Sequence, residues 1–147
     1  MRAAELAEQY PLVDLDSDAL EAVRILARDR LPGLVVTDRG RPHSVLAGSQ
    51  VVRFVVPDYV QADPSLARVV DESAADRIAA TLRGRTVREL LPAKPTRLPS
   101  VEVDDTVLEL AALMARERTP IVAVVRAGEI VGVVTASRLL ELVTRVE

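Results

Sequence analysis

An α+β fold of two βαββα-type repeats with a helical insertion between them is what this sequence predicts, and three observations carry the prediction. A shift of 88 positions lays Leu15–Val55 over Val103–Val143 without a gap, with twelve identities in 41 pairs, among them Asp16/Asp104, Pro32/Pro120, Gly40/Gly128 and Ser49/Ser137. A composition this rich in Ala, Val, Leu and Arg gives roughly four by chance. Each copy also passes from a capped segment of helical period to two apolar runs split by a Gly-bearing turn. Finally, the stretch between the copies carries helix signals of its own. The predicted boundaries are 1–56 for the first repeat, 57–84 for the insertion and 85–147 for the second repeat.

In the first copy, Asp18 with Glu21 opens a helix, Leu34–Thr37 is a strand, and Asp38-Arg39-Gly40-Arg41 is a turn. A weaker strand follows near Val45–Ala47, then a helix from Ser49 to about Val55. In the insertion, Asp63-Pro64 is a cap followed by proline at the first helical position, Ser73 is a second cap, and Gly84 is a stop.

The second copy is the clearer. Thr106 with Glu109 forms a capping box, and Val107, Leu110, Ala111 and Met114 recur at helical spacing through Arg118. Pro120 ends that helix, because its ring cannot continue the hydrogen-bond ladder. Ile121–Val125, the turn Arg126-Ala127-Gly128-Glu129 and Ile130–Val134 make a hairpin, and Ser137–Arg145 a closing helix.

The composition narrows the function. With 49% hydrophobic and 28% charged residues the chain reads as globular. A net charge of −3, two Tyr and one Phe supply neither a basic footprint nor stacking platforms for nucleic acid. No apolar run approaches the ~18 residues of a membrane span, and Met1–Tyr10 carries charges where a signal peptide needs an apolar segment, so no membrane insertion and a cytoplasmic location are expected. The absence of cysteine removes disulfides, thiolate nucleophiles and sulfur-ligated zinc.

The order of helix, strand, turn, strand and helix, with Pro before the first strand and Gly-hydrophobic-hydrophobic-Thr closing the second, resembles the CBS domain, named after cystathionine beta-synthase. The segments VRELL (Val87–Leu91), VEVDDTVLELAALMARERTPIVAVV (Val101–Val125) and GEIVGVVTASRLL (Gly128–Leu140) carry the likeness, with a looser copy from Ala3 to Phe54. The resemblance implies a tandem CBS-domain pair packed about a pseudo-twofold axis, with two clefts. It implies AMP, ATP or S-adenosylmethionine as the ligand class, a homodimer, and regulation in place of catalysis. The output then falls to a separate effector protein, a transporter or an enzyme.

The strand-to-helix corner Gly132–Leu140 is where chemistry is expected. A strand ending in Thr135 and opening a helix presents a hydroxyl beside unpaired N–H groups, with Ser137 and Arg138 in the first turn, and phosphate suits such a place. Thr135 serving only as the helix N-cap is the alternative reading. In ligand-binding relatives the position three after this Thr is usually an Asp that accepts from both ribose hydroxyls. Here it is Arg138, and the first copy has Ala47 for the Thr and Gln50 for the Asp, with Ser49 beside it. Arg138 has no acceptor but offers a planar fork to phosphate or carboxylate. The resemblance further implies an adenine wall at Pro120-Ile121 and at Pro32-Gly33, where Gly33 leaves room. Degenerate clefts filled by side chains would leave a ligand-free assembly module.

Other candidates are weaker. Asp14-Leu15-Asp16-Ser17-Asp18 opens like a calcium loop, but Ala19 stands at the glycine position and Ile25 at the final glutamate. His43, the single histidine, is expected in an exposed loop after the first turn, and no phosphate-loop or dinucleotide motif occurs. Arg83, Arg85, Arg88, Lys94 and Arg97 form the one basic stretch, either a solvated face or an anion funnel.

Overall fold

The computed structural model describes residues 1–65 and 74–145. It is mixed α+β, with two sheets, each built around the hairpin of one repeat. The first repeat contains β1 (Leu12–Asp14), α2 (Ala19–Arg28), β2 (Gly33–Asp38), β3 (Arg41–Ala47) and α3 (Gly48–Val55), preceded by the short helix α1 (Ala3–Leu6). The insertion supplies α4 (Asp58–Ala62) and α5 (Ala74–Leu82). Then follow the short helix α6 (Val87–Leu90), β4 (Thr96–Arg97), β5 (Ser100–Glu102), α7 (Val107–Glu117), β6 (Ile121–Arg126), β7 (Glu129–Thr135) and α8 (Ala136–Thr144). One sheet runs β1-β2-β3-β4 and the other β5-β6-β7. In the second, β5 lies parallel to β6, and β6 antiparallel to β7 with a bulge that leaves Val131 unpaired.

The start signals work as their chemistry requires. Asp18 accepts from the Glu21 N–H at 3.0 Å, and Thr106 and Glu109 close a reciprocal box at 3.1 and 2.8 Å. The stops differ from expectation. Pro120 does not itself end α7; the helix closes three residues earlier through a Schellman turn, Arg118 in the left-handed region (φ 53°) and the Thr119 N–H donating to the Met114 carbonyl at 3.2 Å. The equivalent turn closes α2, with Arg30 at φ 51° and Leu31 donating to Leu26 at 3.1 Å. An L residue with a side chain pays roughly 1 kcal/mol or more in that region. Arg118→Gly is therefore expected to raise the melting temperature by about 2–4 °C, a gain of roughly 0.5–1 kcal/mol, measured by thermal denaturation. A lower midpoint would show that the Arg118 side chain contributes more than its backbone costs.

Both hairpins use two-residue turns with positive φ at both central positions, Arg39-Gly40 (54° and 82°) and Ala127-Gly128 (53° and 83°). Such a turn returns the next residue directly to the ladder. This is why β3 begins at Arg41 and not near Val45, and why His43 lies half-buried in a strand instead of an exposed loop. Gly84, at φ 73°, follows α5 as a left-handed stop. Ser73 lies outside the described residues.

The chain divides into two compact units that cut across the sequence repeats. One is Met1–Leu12, Val35–Ser44 and Arg97–Glu147; the other is Val13–Leu34 and Val45–Thr96. An exchange of short helices accounts for part of this division. In the first unit, Ala3 donates to the Asp105 carbonyl at 2.7 Å, Ala4 to Val103 at 3.2 Å, and Val107 to Met1 at 3.1 Å. In the second, Val87 donates to Ser17, Arg88 to Leu15 and Ala19 to Arg85, each at 2.9 Å. Position for position these are the same three bonds, so α1 serves the second repeat and α6 the first.

In the first unit Ala3 and Leu6 are buried with Val101, Leu110, Met114, Val122, Val124 and Val134. Beyond α1 the chain runs along β7, where Glu8 and Val133 exchange backbone hydrogen bonds at 2.9 and 3.0 Å. In the second unit α2 packs against α3, α5 and α6, with Ala22, Leu26, Val51, Leu82, Val87 and Leu90 buried. Among the described residues, no helix is long and apolar enough to cross a membrane.

Candidate functional site

Each repeat ends its second strand in a corner that turns at once into a helix, and one backbone bond pins that corner in both. The Gly48 N–H donates to the Pro32 carbonyl at 3.0 Å, and the Ala136 N–H donates to the Pro120 carbonyl at 2.9 Å. Pairs 32/120 and 48/136 are related by the repeat shift, so the two prolines hold equivalent places with their carbonyls engaged. The predicted site residues thus fall into two groups, each inside one compact unit. Pro120, Ile121, Thr135, Ser137 and Arg138 come together in the first unit, and Pro32, Gly33, Ser49 and Gln50 in the second.

The second-repeat corner satisfies most of its own polar groups. Thr135 is the N-cap of α8, its hydroxyl accepting from the Arg138 N–H at 3.2 Å, and it pairs with Ile121 across the sheet. Ile121 is almost wholly buried, and Thr119 engages both its backbone groups: the Thr119 hydroxyl donates to the Ile121 carbonyl at 2.8 Å, and the Ile121 N–H donates to that hydroxyl oxygen at 3.3 Å. Ser137 and Pro120 are exposed.

Arg138 is where the corner is electrostatically unusual. Its Nε lies 3.8 Å from Glu8 Oε1, and its Nη1 lies 3.6 Å from Glu141 Oε2. Glu141 is shared, since Arg145 also pairs with it. The Nε atom itself is enclosed, and no acceptor comes within hydrogen-bond length of it among the described residues. An unmet buried donor costs roughly 1–3 kcal/mol, and more where the group is charged. Glu8 carried no signal in the sequence, because it stands 130 positions from Arg138 and reaches it only through the docking of α1.

The first-repeat corner is built differently. With Ala47 as its N-cap, α3 has no side-chain cap hydrogen bond, so its early N–H groups are not covered by a Thr-like hydroxyl. Gln50 is half-buried and donates through Nε2 to the Leu90 carbonyl at 3.1 Å, which ties α3 to α6. Ser49 and Pro32 are exposed. Gly33 does not leave room. A Cβ built on it would lie 3.0 Å from Val45 Cγ1 and 3.1 Å from the Leu46 carbonyl oxygen, so the glycine is there for close packing.

Most of the remaining candidates serve the chain's own structure. Two of the three carboxylates in Asp14–Asp18 turn on the chain's own N–H groups, Asp14 accepting from the Asp16 N–H at 3.2 Å while Asp18 caps α2. In the basic stretch, Arg85 pairs with Glu89 at 3.0 Å and Arg88 with Asp16 at 3.4 Å. The Arg85 hydrogen bond is the main reason that the Glu89 carboxyl sits below the usual range. His43 Nδ1 lies 2.9 Å from the hydroxyl of Ser44, which is wholly buried and therefore closed to any substrate.

Comparison with known proteins agrees with this architecture. The CBS-domain family model matches residues 87–145. A CBS-domain-containing protein of unknown function from Kribbella flavida DSM 17836 is 65% identical, with a TM-score of 0.94 over 98% of this chain and 99% of that one. The CBS domain of a CBS-domain-containing membrane protein from Sphaerobacter thermophilus shares the fold at 21% identity and a TM-score of 0.72, covering 97% of this chain and 87% of that one. CBSX2, solved in complex with AMP, shares it at 15% identity and 0.66, covering 99% and 97%. No curated protein matches the chain.

Proposed function

Because the chain belongs to the CBS-domain family, we propose that it is a non-catalytic regulatory module of the cytoplasm. It takes a small adenylyl or other anionic nucleotide-type ligand at its strand-to-helix corners and signals to a separate effector, a transporter or an enzyme. The observation that carries this reading is the repeated corner, in which the Pro32–Gly48 and Pro120–Ala136 bonds aim the start of a helix at the same kind of place twice. At the first-repeat corner Ser49 and Gln50 would meet such a ligand, and at the second-repeat corner Thr135, Ser137 and Arg138 would. AMP is the ligand named for one protein of this fold, and it is the first compound to test. A ligand of this kind shifts the module between states only by its difference in affinity for them. Exposed apolar residues on the helices that follow the corners, Val52 on α3 and Leu140 and Val143 on α8, support a homodimer.

The second reading is a ligand-free dimerisation module. It is favoured by Gln50 and Arg138 already holding protein partners and by the filled space at Gly33. A thermal-shift panel of AMP, ATP, S-adenosylmethionine and cyclic dinucleotides separates the two. A ligand at 100 times its Kd adds about 2.7 kcal/mol, or roughly 5–10 °C at this chain length. A shift of that size with one of them supports the sensor; a flat panel from a chain that is dimeric by light scattering supports the assembly module.

A further inference from the structure

We propose that Glu8 is the specificity-determining residue of the second-repeat corner: it holds the Arg138 guanidinium until a phosphate-bearing ligand takes its place. The inference rests on the ligand reading above and adds to it the group that a ligand must displace.

Three features of the corner point to it. Arg138 is the one predicted site residue with a full positive charge, and at 29% side-chain exposure it is reachable from solvent. Its two carboxylate neighbours are not equivalent. Glu141 sits one turn along α8 and is divided between Arg138 and Arg145, whereas Glu8 comes from the segment after α1 and has Arg138 as its ion-pair partner. The Glu8 oxygen also approaches Nε at 3.8 Å without reaching hydrogen-bond length, which leaves that enclosed N–H unsatisfied. Because Nε is closed off, a phosphate would meet the outer Nη groups of the fork, where its charge competes with that of Glu8 for the guanidinium. The backbone exchange between Glu8 and Val133 does not depend on the side chain, so Glu8 can release Arg138 while α1 stays docked.

The consequence is discrimination by charge. While Glu8 is paired, a neutral nucleoside meets the corner at no electrostatic cost, and a nucleotide must compete with a carboxylate of this chain. Glu8→Gln removes the competing charge and keeps the shape.

The test is titration of the full chain with AMP and with adenosine, for the native protein, Glu8→Gln, and Glu8→Gln combined with Arg138→Ala. Glu8→Gln is expected to tighten AMP binding roughly two- to fivefold, the size set by a partly exposed ion pair, and to leave adenosine binding unchanged. Adding Arg138→Ala should cancel the gain. AMP binding that is equal in the native protein and in Glu8→Gln overturns the inference while leaving the ligand reading intact. Equal tightening of AMP and adenosine overturns it as well, since that would mark a loosened segment and not a charge. Failure of both compounds to bind any of the three proteins overturns the inference, and the full nucleotide panel then decides the ligand reading. Thermal denaturation of each variant fixes its folded fraction before titration.

Discussion

A chain that begins at Gln9 is expected to lose most of its stability, although terminal residues are usually expendable. Removing Met1–Glu8 takes Leu6, 2% exposed, out of a core shared with Leu110, Met114 and Val124. Truncating one buried leucine costs about 2–5 kcal/mol by itself. The deletion also strips the partners of the Asp105 and Val103 carbonyls and both bonds of Val133. The sum should exceed about 5 kcal/mol, against a total of about 5–15 kcal/mol for a typical domain. Urea unfolding followed by circular dichroism would show either a midpoint moved far toward zero or no cooperative transition. A truncated chain that melts within a few degrees of the full one would mean that α1 does not complete the core of its unit. Leu6→Ala, which keeps the backbone bonds, should lie between the two and separates packing from pairing.

Gly132→Ala is expected to have the second large effect. An added Cβ would stand 2.8 Å from Ala7 Cβ and 3.3 Å from the Glu8 carbonyl oxygen, and neither is the loose end of a flexible side chain. The N-terminal segment must then lift from β7, or the strand must bend. Either response costs roughly 1–3 kcal/mol, a fall of about 3–10 °C in melting temperature. Ala7→Gly removes the nearer clash and should recover part of the loss, leaving the part due to the Glu8 carbonyl. An unchanged melting temperature in Gly132→Ala would show that the crossing is soft. No recovery in the double variant would place the strain elsewhere.

Neither effect is visible in the sequence, for a specific reason. Gly132 was legible as part of a Gly-hydrophobic-hydrophobic-Thr ending, but what crosses it comes from Ala7, 125 positions away. Helices α1 and α6 have four residues each, too few to show a 3.6-residue period, so nothing local tells which repeat they serve. Gly33 misled for a related reason. A missing side chain reads as space, and only the path of Val45 and Leu46 shows that the space is taken. His43 was misplaced because Pro42 and a lone polar residue carry turn chemistry, whereas the two-residue turn had already finished at Gly40.

Local chemistry carried the rest. The capping residues Asp18, Thr106 and Thr135, the glycines at 40, 84 and 128, and the 88-position repeat lie within a few residues of the groups they act on or recur in the chain itself. The sequence alone therefore determined the main helices and the hairpin of each repeat, their order, their duplication and the two corners. The tertiary structure alone decided that each short helix is lent to the opposite repeat, and that Arg138 meets a carboxylate from the far end of the chain. Hydrogen bonds inside a turn are set by neighbours in sequence. Which buried face a four-residue helix fills, and which charge an arginine finds, are set by where the whole chain brings distant residues together.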